Sequence, residues 1–539
     1  MSDASVPSCV APSRMNRPRF WVGLCLVLWL LGLAAVRPLA LPDEGRYAEI
    51  SRWMVVSGDW LAPRLDGMPF FHKPPLLHWL QALVFQALSA HPWTARLVTV
   101  GHACVMLWAV HRGTSHMGAS HLAGRATLIL GSSLAILIGG QYINHDILVA
   151  CWIGVAIWCF AAALHRPGPP QAALARWGFV ACALGVLSKG LIGLALPGLV
   201  LVLWVLWTQQ LQRVLRLPWL SGALVFCLLT LPWFILADQR YPGVLEYLFG
   251  TQQFTRYTAT GFNNVHPWWF YGVALALLAI PWSWVLPMAG LLWARRAPPK
   301  PNAQMSPLLW SLCWIWVLSI LVFFSIPASK IVGYMLPVMP PLAVLTAWGW
   351  DVVMGPGRER YFRMLVVGGS LLGLAVTVIA GRYIDHKSGR DVAVELACLA
   401  SVNDAVYAID GYPYDVPFYA RLVHPMRVVQ DWDEAKAKAG DDWRRELFES
   451  AVFDSRAADV LQPPAALAHA AQTPSAWLLA PSSLDSADPR LEGWAQVAAG
   501  TAWTLWRSAP PVLSATESPV TAQAERQHSC HPHGAQQRP

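Results

Sequence analysis

Eleven apolar runs, each close to the length of a bilayer-crossing helix, occupy the first 382 residues of this 539-residue chain. They lie at roughly 20–41, 94–111, 122–141, 147–164, 174–191, 191–208, 217–237, 268–293, 307–327, 332–352 and 363–381. In lipid only a segment that satisfies its own backbone hydrogen bonds can cross, and for apolar runs of this length that segment is an α-helix. The expectation is a polytopic all-α membrane protein. Charge supports it: 13% of residues are charged, against about 25% in an ordinary soluble protein. Of 31 Asp and Glu residues, 11 fall in residues 1–382 and 20 beyond. Residues 383–510 therefore read as a small C-terminal α/β domain in water. Strands are expected at 405–410, 426–430, SAWLLA and TAWTLW, and a helix over 433–451. Residues 511–539 are rich in Pro, Ser, Gln and His without apolar periodicity and read as a disordered tail.

Basic residues set the orientation. Residues 1–19 carry Arg14, Arg17 and Arg19 ahead of the first run, which is long enough to be retained as a span. With that end in the cytoplasm, the inner loops hold Arg112 and Arg125, Arg166 and Arg176, Arg213 and Arg216, Arg295, Arg296 and Lys300, then Arg358, Arg360 and Arg363, a positive-inside pattern. The net charge of +8 is thus spent on membrane topology and membrane lipids, and gives no indication of nucleic acid as a partner. The stretch 74–90, short and led by two prolines, reads as an interfacial helix; as a twelfth span it would invert the later loops. The outer, extracytoplasmic side then carries the first outer loop 42–93, residues 142–146, the turn at Lys189, residues 238–267 and 328–331, and everything after 382. Ten cysteines without a CxxC pair suggest neither a disulfide framework nor a redox motif.

Eight of the eleven acidic residues before 382 fall on that outer side, three of them at helix boundaries: Asp43, Asp146 and Asp238. A carboxylate at such a place must be hydrated, paired or bound to a cation, so a polar cavity is expected there. The densest segment is LPDEGRYAEISRWMVVSGDWLAPRLDGMPFFHKPPL, residues 41–76. Asp43 can accept a proton from an incoming hydroxyl or amine, and Glu44 either shares that work or pairs with a loop arginine. Arg46, followed by Tyr47, can hold a phosphate oxygen. Lys73, stiffened by Pro74 and Pro75, either attracts a lipid phosphate or snorkels to water. His72 can hydrogen-bond, ligate a metal or bind phosphate. Asp146 in QYINHD either orients an acceptor or caps a helix. Lys189, Arg256, His266 ahead of the aromatic band PWWFY, and Lys330 with Tyr334 one turn later complete the outer set. Cations around carboxylates suit an anionic lipid donor and a nucleophile that loses a proton. A lipid transporter lined by the same charges is the reading from another class.

The ordered motifs DEGRYAEI, SGDW, KPPL, NHDILVA, LSKG, HPWWFY and SKIVGYMLPVMPPLA resemble those of the bacterial aminoarabinose transferases and related protein-mannosyltransferase-like glycosyltransferases of the GT-C fold, over roughly residues 20–440. The resemblance implies a bacterial inner-membrane enzyme that uses an undecaprenyl-phosphate-linked sugar donor on its periplasmic face. The sugar implied is 4-amino-4-deoxy-L-arabinose and the acceptor lipid A; a protein or another envelope glycan is the alternative acceptor. Asp43 then matches the catalytic aspartate and Asp146 a second cavity carboxylate. Arg46 and Lys73 match donor-phosphate contacts, and Lys330 and Tyr334 the pair facing the lipid phosphate. His266 matches a histidine near the family's divalent metal ion. The family's residue before Lys-Pro-Pro is Glu, whereas this chain has His72, which leaves the metal open.

Overall fold

The computed structural model describes residues 17–166, 168–255, 264–295, 305–355, 357–438 and 440–509, without the side chains of 17–22 and 254–255. Helical segments occupy every one of the eleven apolar runs. In chain order the first part runs α1 (Arg17–Ala35), α2 (Asp43–Ser57), α3 (Leu76–Leu88), α4 (Pro92–His116), α5 (Ser120–Gly131), α6 (Leu134–Gly139), α7 (His145–His165), α8 (Ala172–Lys189) and α9 (Ile192–Trp207). Among the described residues, seven helices are long and apolar enough to cross a membrane by length and composition: α4, α7, α8, Trp219–Arg240, Pro307–Ser325, Val332–Val353 and Glu359–Asp385. The other runs depart from a single long helix for local reasons. Residues 122–141 divide into α5 and α6 at Ser132 and Ser133, whose hydroxyls donate back to the Leu128 and Leu130 carbonyls at 2.7 Å each. Residues 268–293 divide into Phe270–Leu278 and Val285–Ala294 around Pro281, which lacks the N–H that would continue the ladder.

The proline-led stretch folds as α3, whose 13 residues are too few to cross a bilayer. It packs on α2 and α4, and its buried polar residues face α2: Ser51 Oγ donates to Gln81 Oε1 at 2.7 Å. Loops expected on a common face do meet. At one end Arg125 pairs with Asp351 and Glu359; at the other the Ile143 N–H donates to Glu44 and the Lys330 N–H to the Asn264 carbonyl.

The first outer loop contains α2, α3 and a small hairpin, β1 (Arg64–Leu65) with β2 (Met68–Pro69), turned at Asp66 and Gly67, both at positive φ. The C-terminal region is a six-stranded mixed sheet of β3 (Ala405–Ile409), β4 (Arg427–Val429), β5 (Leu461–Gln462), β6 (Ala476–Pro481), β7 (Trp494–Ala499) and β8 (Trp503–Ser508), in the order β5-β4-β3-β6-β8-β7. Strands β3 to β6 pair in parallel, while β8 runs antiparallel between β6 and β7. All four expected strands are present. The expected helix over 433–451 is two helices, Trp432–Lys438 and Trp443–Ala451, the second capped by Asp442, whose side chain accepts from the Arg444 N–H at 2.9 Å. Strand β7 escapes the sequence reading because it lies at the sheet edge with most of its residues exposed. The tail 511–539 lies outside the described residues.

Ion pairs bolt this region onto the first outer loop. Glu49 and Arg52 pair while buried, and Arg52 also donates to the Leu422 carbonyl at 2.5 Å. Asp66 Oδ1 accepts from the Met426 N–H at 2.8 Å, and Arg64 pairs with both Asp59 and Asp454. Burial raises the Glu49 carboxyl above its ordinary pKa against the pull of Arg52, and it raises that of Asp66 further still.

Candidate active site on the first outer loop

Helix α2 begins immediately after Pro42 and carries Asp43 and Glu44 in its first turn, where the helix dipole favours negative charge. Gly58, in the left-handed conformation, ends it. The two acidic neighbours have opposite fates. The Glu44 side chain is fully buried, whereas 34% of the Asp43 side chain is exposed. Glu44 accepts hydrogen bonds from Arg37, from Arg96 at 2.8 and 3.1 Å, from the Ala40 N–H at 2.8 Å and from the Ile143 N–H at 3.0 Å. Burial alone would raise its pKa, but the two guanidinium groups bring it down to about 2. Both oxygens are saturated, so Glu44 is the loop's structural counter-ion. Of the two readings open for Glu44, this geometry favours pairing with arginine over a catalytic role.

Asp43 keeps its partners on the open side. One oxygen pairs with Arg46, one turn on, and the other accepts from the Tyr142 hydroxyl at 3.2 Å. Arg46 is buried and shared: it also pairs with Glu446, and its guanidinium lies over the Tyr47 ring at 4.8 Å and the Tyr414 ring at 5.7 Å. The second Glu446 oxygen accepts from the Tyr414 hydroxyl at 2.6 Å. Burial raises the Glu446 carboxyl and Arg46 counteracts it; burial likewise raises the Tyr47 phenol. Glu446 and Tyr414 went unrecognised in the sequence. They come from the C-terminal region some 400 residues away, and nothing in the local pattern of Trp443–Ala451 marks Glu446 out.

A second cluster lies at the other end of the 142–146 turn. Asn144 caps α7, its side-chain oxygen accepting from the Asp146 N–H at 2.9 Å, so Asp146 is released from capping. Asp146 pairs with Lys189, whose ammonium lies 4.6 Å from the centre of the Tyr334 ring. Two glycines allow this geometry. Gly190 ends α8 at φ +88°, and a Cβ on Gly333 would collide with the Asp146 carboxylate. Tyr334 stacks on Phe324 and thus joins Lys189, not Lys330. Tyr47 connects the clusters: its phenol interacts electrostatically with both Asp43 and Asp146.

His72 and Lys73 follow the β1–β2 hairpin. The Lys73 ammonium donates to the His72 carbonyl at 3.0 Å. His72 stacks on Phe70 at 4.1 Å and its Nε2 lies 3.6 Å from Glu449, whose carboxylate also accepts from Tyr247 and Arg445. Tyr247 belongs to a ten-residue π-helix, Glu246–Thr255, a distortion that often accompanies functional sites.

Lys330 and the histidines each have protein partners. Lys330, 4% exposed, donates to the backbone carbonyls of Pro327 at 2.8 Å, His266 at 2.9 Å and Ala328 at 3.4 Å, and so clips two loops together. The suggested metal pair, His72 and His266, lies in two different surroundings. His266 stacks on Phe270 at 4.2 Å and His72 has its own partners. Among the described residues no group of three His, Cys, Asp or Glu could hold a metal ion. Arg256 lies outside the described residues.

The architecture is that of a polytopic, mostly helical membrane protein with an acid–arginine helix in its first long loop and a C-terminal mixed sheet packed on that loop. Comparisons with known proteins narrow this. Residues 20–248 match the family model described as dolichyl-phosphate-mannose-protein mannosyltransferase. The chain is 33% identical over 359 residues to the undecaprenyl phosphate-alpha-4-amino-4-deoxy-L-arabinose arabinosyl transferase of Aeromonas salmonicida (strain A449), covering 65% of this chain and 62% of that protein. It is 32% identical over 337 residues to arabinosyl transferase 1 of Sodalis glossinidius (strain morsitans), covering 61% and 58%. The chain thus spans about three-fifths of the length of these curated relatives. The crystal structure of ArnT from Cupriavidus metallidurans bound to undecaprenyl phosphate is similar with a TM-score of 0.74, over 93% of this chain and 100% of that one, at 22% identity, a likeness of fold. The chain is thus similar in sequence, over part of its length, to arabinosyl transferases and to the protein-mannosyltransferase family model, and it shares the fold of ArnT.

Proposed function

We propose that this chain transfers a sugar from undecaprenyl phosphate to an envelope acceptor at the periplasmic face of the bacterial inner membrane, the sugar being 4-amino-4-deoxy-L-arabinose and the acceptor lipid A. The names of its relatives support donor and sugar. The observation that carries the reading is the pairing of a partly exposed carboxylate, Asp43, with a guanidinium, Arg46, in one buried-to-open cluster. Such a pair can handle a proton and a phosphate side by side.

In this mechanism the acceptor hydroxyl gives its proton to Asp43 as its oxygen bonds to the anomeric carbon. The bond from that carbon to the phosphate oxygen breaks, and undecaprenyl phosphate leaves with the electron pair. Arg46 and Lys73 hold the departing phosphate, and the low-polarity surroundings of Arg46 strengthen that interaction. Asp146 and Lys189 neutralise each other and shape the wall near Tyr334.

Lipid A mass spectrometry tests the assignment in a host that makes the lipid-linked sugar but lacks its own transferase. Aminoarabinose on lipid A should appear when this chain is expressed. Folded chain in the membrane with unmodified lipid A would reject that donor–acceptor pair and turn the search to other sugars, proteins or glycans. A transporter, by contrast, would move lipid without cleaving a glycosidic bond.

Two residues give graded outcomes. Lys73→Ala should raise the KM for the lipid-linked donor about tenfold, the scale of one charge-assisted hydrogen bond, with acceptor KM little changed; unaltered donor kinetics would remove Lys73 from the site. Glu446→Gln should lower kcat about tenfold, because an amide cannot hold the Arg46 guanidinium toward Asp43 as a carboxylate does. If Glu446→Gln turned over normally, the C-terminal region would be a roof without a part in the chemistry.

A further inference from the structure

The 141–146 turn distributes its residues between the two clusters and leaves one histidine between them. Tyr142 reaches Asp43, the Ile143 N–H reaches Glu44, and Asn144 and Asp146 serve the Lys189 side. His145 is 2% exposed, with the Tyr47 ring edge-on at 4.7 Å and the His78 ring at 5.5 Å. Neither of its ring nitrogens has a hydrogen-bond partner among the described residues. Its neighbour His78 differs: there Nδ1 bonds to Ser51 Oγ at 2.9 Å. Arg46, Lys73 and Lys189 are all within electrostatic reach of the His145 ring.

A buried polar group left unpaired is destabilising, and a phenyl ring would fill the same space between Tyr47 and His78 without that cost. Local rules are broken in this way where a ligand supplies the missing partner. Arg46, Lys73 and Lys189 come from three separate elements, and an anion that competes for them with Asp43, Glu446 and Asp146 is the ligand this surrounding suits. A neutral ring nitrogen adds what ammonium groups lack, a hydrogen bond of fixed direction.

Resting on the donor reading above, we propose that His145 is a donor-binding residue, its ring N–H donating to a phosphate oxygen of the polyprenyl-phosphate sugar between Arg46, Lys73 and Lys189. The Tyr47 edge contact fixes the plane of the ring and therefore the direction of that bond.

The test uses the purified full chain in detergent and undecaprenyl phosphate as the probe, measuring affinity and thermal unfolding together. His145→Phe should unfold at the same temperature as the unaltered chain or higher, yet bind undecaprenyl phosphate at least about tenfold more weakly. His145→Gln, which keeps a donor and an acceptor, should bind within about threefold of the unaltered chain. If the phenyl variant does not fold, His145→Leu is read in the same way. A purely structural histidine would instead lower the unfolding temperature in both variants and leave affinity unchanged, which overturns the proposal. Lys73→Ala separates the two levels. Weaker binding with Lys73→Ala but not with His145→Phe rejects His145 alone. No binding by the unaltered chain rejects the donor reading and the histidine with it.

Discussion

Asp43→Asn should reduce turnover by about 10²–10⁴-fold, the range for loss of a positioned general base, while the chain still folds and still binds undecaprenyl phosphate. The substitution is nearly isosteric, keeps an acceptor for the Tyr142 hydroxyl and removes the charge that pairs with Arg46 and takes the proton. Of the two acidic residues that open α2, Asp43 alone is exposed enough for a substrate to reach. In the lipid A assay, expression of Asp43→Asn should leave the acceptor unmodified at a membrane level equal to that of the unaltered chain. Modification at a normal rate would show that the proton goes elsewhere, and Asp146 would become the first residue to examine.

The second large effect falls on stability. Glu44→Gln removes the negative charge that Arg37 and Arg96 share and leaves two buried guanidinium groups without a counter-ion. Breaking a buried pair in this way costs about 3–5 kcal/mol, so the variant should unfold at markedly lower temperature or fail to accumulate. The pH dependence follows from the depressed carboxyl, whose ordinary pKa of 4.5 falls to about 2 in the folded chain. The ionised form therefore stabilises the fold fully above about pH 4.5, and that contribution disappears as pH falls toward 2. The difference in unfolding temperature between the two chains should stay constant from about pH 8 to about pH 5 and narrow below that. A variant that matched the parent at neutral pH would show that the two arginines find other partners.

Much of this was legible in the sequence because its physical causes are local. An apolar run of about twenty residues has few other ways to satisfy its backbone in lipid, so helical segments at all eleven stretches follow from composition and length. Alternating apolar residues announced β3, β4, β6 and β8, and the prolines before α3 announced a short helix. Asp43, Arg46 and Lys73 could be singled out because charges beside a membrane must have a partner. What kind of partner was not local. Glu44 and Asp43 are adjacent in sequence and equal in chemistry; only Arg37 from the end of α1 and Arg96 from α4 turn one of them into a buried counter-ion. Lys330 lies in the same kind of segment as Lys189, yet three backbone carbonyls satisfy it while Lys189 pairs with Asp146.

The sequence by itself determined that this chain lives in a membrane, which stretches are helical, which face gathers the charge and which loop carries the candidate chemistry, because hydropathy and charge act along the chain. Tertiary structure alone decided which carboxylate is left open, that Glu446 and Tyr414 share Arg46 with it, and that the His145 ring nitrogens find no hydrogen-bond partner among the described residues. These depend on contacts between residues up to 400 positions apart, and no pattern within a segment records which distant side chain will meet it.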